Sequence, residues 1–174
     1  MKIIGIDPGT ATTGYGVIEI VEEKLIPVKF DLIETSKNGT PEQRLASIHR
    51  QLLDIFDIYQ PEEMAIEKVF FATNRKTAIR VGQAQGVMLL AAATYNLPVF
   101  EYAPGTIKKV VSGNGRADKK MVEQSVRDHL GSGVHSRPNE KTHFDNAADA
   151  LAVALCHIYT SQKRGEKLWQ QLIK

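Results

Sequence analysis

Carboxyl side chains stand at three separated points of the chain, each at the end of or within an apolar run. Asp7 follows Ile3-Ile4-Gly5-Ile6, Glu67 follows Met64-Ala65-Ile66, and Asp149 lies in the small apolar stretch "AADALAVAL". An ionised carboxylate is costly to bury without a partner. These positions therefore predict an ion pair, a helix cap or a bound cation, and any one acid taken alone is explained by the first two.

The last acid has neighbours that share its helix face. Asp145 and Asn146 precede Asp149 by four and three residues, so in a helix all three side chains can point the same way. Asp145 could also serve the helix N-terminus through the helix dipole. Carboxylates converging from two strands and a helix would repel one another without cations, and oxygen ligands favour Mg²⁺ or Mn²⁺. Two such ions roughly 4 Å apart activate water and stabilise a leaving phosphodiester oxygen.

The middle of the chain is basic, which suggests a surface for a polyanion. Residues 1–67 carry 6 Lys and Arg against 12 Asp and Glu, whereas residues 68–127 carry 10 against 3. Basic side chains would neutralise nucleic-acid phosphates, although a merely solvated helix face explains the charge equally well. Phe70 and Phe71 are adjacent and cannot both face a core from an extended segment, so one of them would stack on a base, pack under the next helix or lie in a dimer contact. The basic candidates are Lys68, Arg75, Lys76, Arg80, Lys108, Lys109, Arg116, Lys119 and Lys120.

Length and composition indicate one domain over residues 1–174, with a C-terminal tail from about residue 163. The single cysteine, Cys156, excludes an internal disulfide framework. No apolar run reaches the roughly 18 residues of a membrane span, and no signal peptide precedes the first strand. A cytoplasmic protein without membrane association is expected.

Hydrophobic patterning predicts the element order βββαβαβαα, and hence an α/β domain with a mixed sheet. A hairpin of strands 2–7 and 13–20 comes first, followed by an edge strand containing Pro27. "TPEQ" predicts a helix start with Thr40 as cap and Pro41 at the first position. Strands in "MAIE" and "LPVFEYAP" alternate with helices over 74–96 and 119–130. A polar loop over 131–144 and a last helix from about Asp145 to Gln162 complete the prediction.

Four ordered motifs resemble the RuvC family of bacterial Holliday-junction resolvases over nearly the whole chain. They are "GIDPGTATTGYGVI", "AIEKVFFATNRKTAIRVGQAQGV", "LPVFEYAPGTIKKVVSGNGRADKKMV" and "AADALAVALCH". The resemblance implies a ribonuclease-H-like three-layer fold, with a mixed five-stranded sheet and helices on both faces. It implies a homodimer that resolves four-way DNA junctions by paired nicks, in recombination and repair, with two Mg²⁺ ions per site (Mn²⁺ as substitute). RuvA and RuvB, the branch-migration proteins, are implied as partners.

The family's functional residues carry over position by position. Asp7, Glu67 and Asp149 match the catalytic, metal-binding acids, Phe70 matches the aromatic wedge of the junction, and Lys108 and Lys119 match lysines at the scissile phosphate. One position departs: the family places an acid or a histidine where this chain has Asn146. Asp145 or His143 could fill that role if the helix start shifts. Asparagine here is either natural variation or an engineered change that disarms a metal site.

Three other functions compete with the resolvase. A strand-acid-Gly-Thr hairpin also resembles the phosphate loop of actin-like kinases and ATPases, but those need two related domains. A non-catalytic protein that binds branched DNA would use the basic face alone, and Asn146 is compatible with it. A ribonuclease acting on RNA–DNA hybrids would share the fold.

Asn146→Asp should raise both junction nicking and affinity for Mg²⁺, because the substitution restores an anionic oxygen ligand. Junction binding through the basic face should stay nearly unchanged. Nicking of a synthetic junction and a gel shift measure the two properties. A variant that nicks no faster than the parent would show that Asp145 already supplies the ligand.

Overall fold

The computed structural model describes residues 1–69, 75–131, 134 and 141–172, with the side chains of 75, 141–146 and 163–172 outside that description. Within these described residues, ten helices and strands follow one another. They are β1 (Lys2–Asp7), β2 (Thr12–Val21), β3 (Lys24–Glu34), α1 (Pro41–Tyr59), β4 (Glu63–Glu67), α2 (Arg75–Thr94), β5 (Val99–Tyr102), α3 (Pro104–Ser112), α4 (Lys119–Leu130) and α5 (Lys141–Leu172).

The strands form one mixed sheet in the order β3-β2-β1-β4-β5, which confirms the predicted five-stranded arrangement. β1, β2 and β3 are antiparallel neighbours, whereas β4 pairs parallel with both β1 and β5. β3 lies at the edge, as Pro27 predicted, and the ladder with β2 is irregular opposite this proline.

Helices cover both faces of the sheet, so the fold has three layers. α1 and α2 pack on one face around Phe56, Met64 and Met88. α3, α4 and α5 pack on the other face around Val126, Leu151 and Leu155. α1 begins as predicted: the Thr40 side chain accepts from the Gln43 N–H, and the Gln43 side chain accepts from the Thr40 N–H. No helix in the described part of the chain is long and apolar enough to cross a membrane.

The sequence-based predictions were wrong for two helices. Helix α3 was missed, although Pro104 at its first turn and Gly113 after its end (φ 76°) are the usual start and stop signals. Helix α5 begins at Lys141 and ends at Leu172, rather than running from Asp145 to Gln162. The last four residues of the predicted polar loop 131–144 therefore belong to the helix. Residues 132–133 and 135–140 of that loop lie outside the described residues.

Helix α5 lies unusually close to the sheet because two glycines face it. Gly5 and Gly16 are cross-strand neighbours in β1 and β2. A Cβ on Gly5 would overlap the Ala150 carbonyl oxygen and stand 2.6 Å from the Ala154 backbone nitrogen, and a Cβ on Gly16 would meet Leu151 at 2.7 Å. The contact is made by backbone as well as side chains, so a larger residue cannot be accommodated by a rotamer change.

Gly5→Ala should therefore destabilise the protein by about 1–3 kcal/mol, since α5 must shift to admit the methyl group. The matched control is Gly105→Ala in α3, where the added Cβ would meet the Gly115 carbonyl oxygen at 3.9 Å, an ordinary van der Waals contact. Urea unfolding of both variants measures the difference. Equal stability of the two variants would contradict the close contact.

Candidate active site

Asp7 and Glu67 end neighbouring parallel strands and point to the same face of the sheet. Ile6 of β1 is in register with Ile66 of β4, so the next residue on each strand is an acid. Side chains alternate along a strand. Because Gly5 faces α5, Asp7 two residues later faces α5 as well. Ala65 packs into the α5-side core, which places Glu67 on that face too.

Helix α5 places Asp149 in the same cleft as the two strand acids. It directly precedes Ala150, the residue whose carbonyl lies against Gly5. The residues around it, from Ala147 to Leu155, are small or apolar and nearly all are buried. The Asp149 side chain itself keeps 29% of its surface exposed. The same contact that brings α5 close to β1 thus brings Asp149 to Asp7.

The three acids and two lysines line one cleft of about 340 Å³. Lys108 reaches it from α3 and Lys119 from α4, the two helices that pack beside α5. The complete lining is Asp7, Glu67, Pro104, Ile107, Lys108, Lys119, Val122, Asp149 and Ala152. A cleft lined by acids together with basic and apolar side chains suits a phosphate ester held beside a carboxylate cluster.

Burial and mutual repulsion raise the pKa values of the two strand acids, Asp7 and Glu67. Burial, and then the Asp149 charge, raise the pKa of Asp7 to about 6, and Lys119 acts in the opposite direction. Burial, followed by Asp7 and Asp149, raises the pKa of Glu67 to about 7, and Lys108 opposes this. Carboxylates in this state gain from any additional positive charge near them.

Lys119 forms an ion pair with Asp149, with Nζ 3.0 Å from Oδ2. The start of α4 holds this lysine in place: Asp118 is the helix cap and accepts from the Met121 N–H at 2.9 Å. Lys119 is then the first residue of the helix. The structure thus places Lys119, a lysine that the sequence analysis assigned to the site, at the lining of the cleft.

The donor set at the cleft is one that a divalent cation accepts, since it consists of carboxylate oxygens. Among the side chains that the structure describes, no three carboxyl, imidazole or thiol groups are close enough to hold an ion unaided. The described acids thus surround an open cleft rather than a closed ligand shell. Asp145 and Asn146 lie one helical turn before Asp149 in α5, but their side chains and that of His143 are outside the described set.

The predicted DNA-binding residues spread beyond the cleft. Lys108 and Lys119 line it, and Lys68, directly after Glu67, lies 3.9 Å from the Glu101 carboxylate. Phe70 and the side chain of Arg75 lie outside the described residues, so their roles stay predictions. The remaining candidates are exposed: Lys76 and Arg80 on α2, Lys109 on α3, Arg116 between α3 and α4, and Lys120 on α4.

One buried polar cluster was not foreseen. The His157 ring donates from Nε2 to the Glu63 carboxylate at 2.6 Å, and its Nδ1 accepts from the Tyr102 hydroxyl at 2.7 Å. A carboxylate can only accept, which fixes this assignment for a neutral ring. The cluster ties α5 to β4 and β5. Its members are 55 and 94 residues apart, and no local sequence pattern predicts their meeting.

Comparison with known proteins agrees with this architecture. Residues 3–157 match the family described as Crossover junction endodeoxyribonuclease RuvC. A protein of that name from Thermotoga petrophila is 43% identical over 164 residues, which are 94% of this chain and 96% of the relative.

Solved structures give the same result. Thermus thermophilus RuvC has a TM-score of 0.81 at 32% identity, covering 94% of this chain and 96% of that one. The T. thermophilus RuvC in complex with Holliday junction substrate has a TM-score of 0.80 at 30% identity, with the same coverage. The predicted ribonuclease-H-like α/β fold is thereby confirmed, and the chain belongs to the RuvC family of crossover junction endodeoxyribonucleases.

Proposed function

We propose that this chain resolves four-way DNA junctions by paired, symmetric hydrolytic nicks that depend on divalent metal ions. The observation that carries the proposal is the convergence of Asp7, Glu67 and Asp149 from β1, β4 and α5 into one cleft with two lysines. A relative of the same family has been solved with a Holliday junction substrate. Junction DNA is therefore the substrate we assign to this cleft.

The proposed metal ligands are Asp7, Glu67 and Asp149, with Asp145 or Asn146 completing the set. Two Mg²⁺ ions, or Mn²⁺ in their place, would activate the attacking water and stabilise the leaving oxygen. Asp7 and Glu67 support this assignment: burial first, and then the neighbouring carboxylates, raise their pKa values, so a bound cation would stabilise the ionised forms. Asn146 supplies a neutral oxygen where an acid would bind more tightly.

Lys108 and Lys119 would contact the scissile phosphate, and the exposed lysines and arginines of α2, α3 and α4 would bind flanking phosphates. This interface depends on charge, so junction affinity should fall steeply with salt. Phe70, next to Lys68 and Val69, would insert into the base stack at the junction centre, as the family resemblance implies.

A homodimer is proposed on the outer face of α2. Ile79 and Leu90 are 64% and 58% exposed. Gly82 and Gly86 lie between them, and a Cβ on either glycine would meet nothing within 4 Å. These glycines therefore do not serve packing on the sheet, which was the other explanation for their spacing. Partnership with RuvA and RuvB and a cytoplasmic location rest on family membership.

Asp7→Asn should lower nicking of a synthetic four-way junction about 100-fold or more, because it removes an anionic metal ligand. Junction binding in a gel shift should change little. Asp54→Asn is the matched control, since it removes an exposed carboxyl of α1. An RNA–DNA hybrid duplex should be cut poorly by all three proteins.

Two outcomes would contradict the resolvase. Preferential cutting of the hybrid would favour the ribonuclease. Junction binding with no nicking in either Mg²⁺ or Mn²⁺, in the parent and in Asn146→Asp, would favour the non-catalytic binding protein.

Stability of the metal-free protein should fall as pH rises from about 4 to about 7. The unfolded chain releases the protons of Asp7 and Glu67 near their ordinary pKa values of 3.8 and 4.5, whereas the folded chain keeps them until about 6 and 7. Ionisation therefore favours the unfolded state across that interval. Added Mg²⁺ should oppose the loss, because it binds the ionised acids.

Thermal melting at several pH values in EDTA measures this dependence. The double variant Asp7→Asn, Glu67→Gln should show a flatter profile over the interval, and Asp54→Asn should follow the parent. If the melting temperature of the double variant changed with pH as steeply as that of the parent, these two acids would not be the source of the pH dependence.

A further inference from the structure

Lys119 already occupies the position of a counter-ion to the acid cluster. Its ammonium is 3.0 Å from Asp149 Oδ2, and the two side chains are 46% and 29% exposed. Its charge also acts on Asp7, where it counters the effect of Asp149. One ammonium thus serves two of the three acids.

The position of Lys119 is otherwise unfavourable. It is the first residue of α4, and the positive end of a helix dipole repels a cation. The attraction of Asp149 and Asp7 offsets that repulsion. Lys108, the other lysine of the cleft, acts on Glu67 instead. Each lysine of the cleft thus opposes the raised pKa of a different strand acid.

We propose that Lys119 holds the place of the divalent cation at Asp149 in the metal-free protein and is displaced when the cation binds. The proposal rests on the metal-binding role proposed above for Asp7 and Asp149. The ammonium and a metal ion compete for the same carboxylate oxygens, so both cannot be bound fully at once. The displaced lysine stays in the cleft, because α4 fixes its backbone there, and its charge becomes available to the substrate phosphate. Metal loading and phosphate contact are in this way linked through one side chain.

The test is the affinity of the metal-free protein for Mn²⁺, measured by calorimetry in the absence of DNA. Lys119→Met should bind Mn²⁺ about fivefold more tightly than the parent, the gain expected when a competing exposed ion pair is removed. Lys119→Arg keeps the charge and should bind like the parent. Lys108→Met is the matched control for loss of one positive charge in the same cleft, and its gain should be smaller than that of Lys119→Met.

Thermal melting supplies a second measurement, with Lys119→Gln as the alternative variant if Lys119→Met folds poorly. In EDTA the neutral variant should melt below the parent, because two acids lose their counter-ion. Mn²⁺ should then raise its melting temperature by more than it raises that of the parent.

Three results would overturn the proposal. Unchanged or weaker Mn²⁺ binding by the neutral Lys119 variants would show that the lysine does not compete. An equal gain in Lys108→Met would show a general charge effect. Absence of saturable Mn²⁺ binding in the parent and in Asn146→Asp would overturn this proposal together with the metal-dependent function, whereas the first two results leave that function intact.

Discussion

The close contact between strand β1 and helix α5 is the constraint on which the site depends. Gly5 and Gly16 leave a flat place on the sheet, and the backbone of α5 at Ala150 and Ala154 lies against it. This contact decides how near Asp149 comes to Asp7. Strand pairing places Glu67 beside Asp7 independently of any helix. The geometry of the acid cluster is therefore set by backbone packing, and the acids themselves work against it through mutual repulsion.

That repulsion explains why basic residues converge on the same cleft. Lys119 and Lys108 approach from α4 and α3 and offset the charges on different acids. The acids still hold their protons more tightly than free carboxyl groups, because burial and the neighbouring carboxylates outweigh the effect of the lysines. A site with unsatisfied negative charge, open to solvent on one side, is suited to cations that enter from water and to a phosphate that follows them. The negative charge that the proposed function requires therefore lowers the stability of the folded protein at this site.

Much of this could be read from the sequence because it depends on local patterns. Short continuous apolar runs that end in Asp7 and Glu67 predicted both strands, and the capping box at Thr40 predicted the start of α1. The same rules could have found α3 from Pro104 and Gly113. Other features depend on contacts between distant segments and leave no local pattern. The Glu63–His157–Tyr102 cluster and the pairing of Lys119 with Asp149 are of this kind. The start of α5 was misplaced because residues 141–144 follow a polar stretch and were assigned to the same loop, although the structure continues the helix through them.

The central claim is that carboxylates of β1, β4 and α5 together bind divalent ions. Anomalous diffraction from crystals soaked in Mn²⁺ tests it most directly, since the ion is located without reference to activity. We expect an anomalous peak in the cleft within about 2.6 Å of oxygens from Asp7, Glu67 or Asp149. Crystals that take up Mn²⁺ elsewhere, with no peak beside these acids, would contradict it.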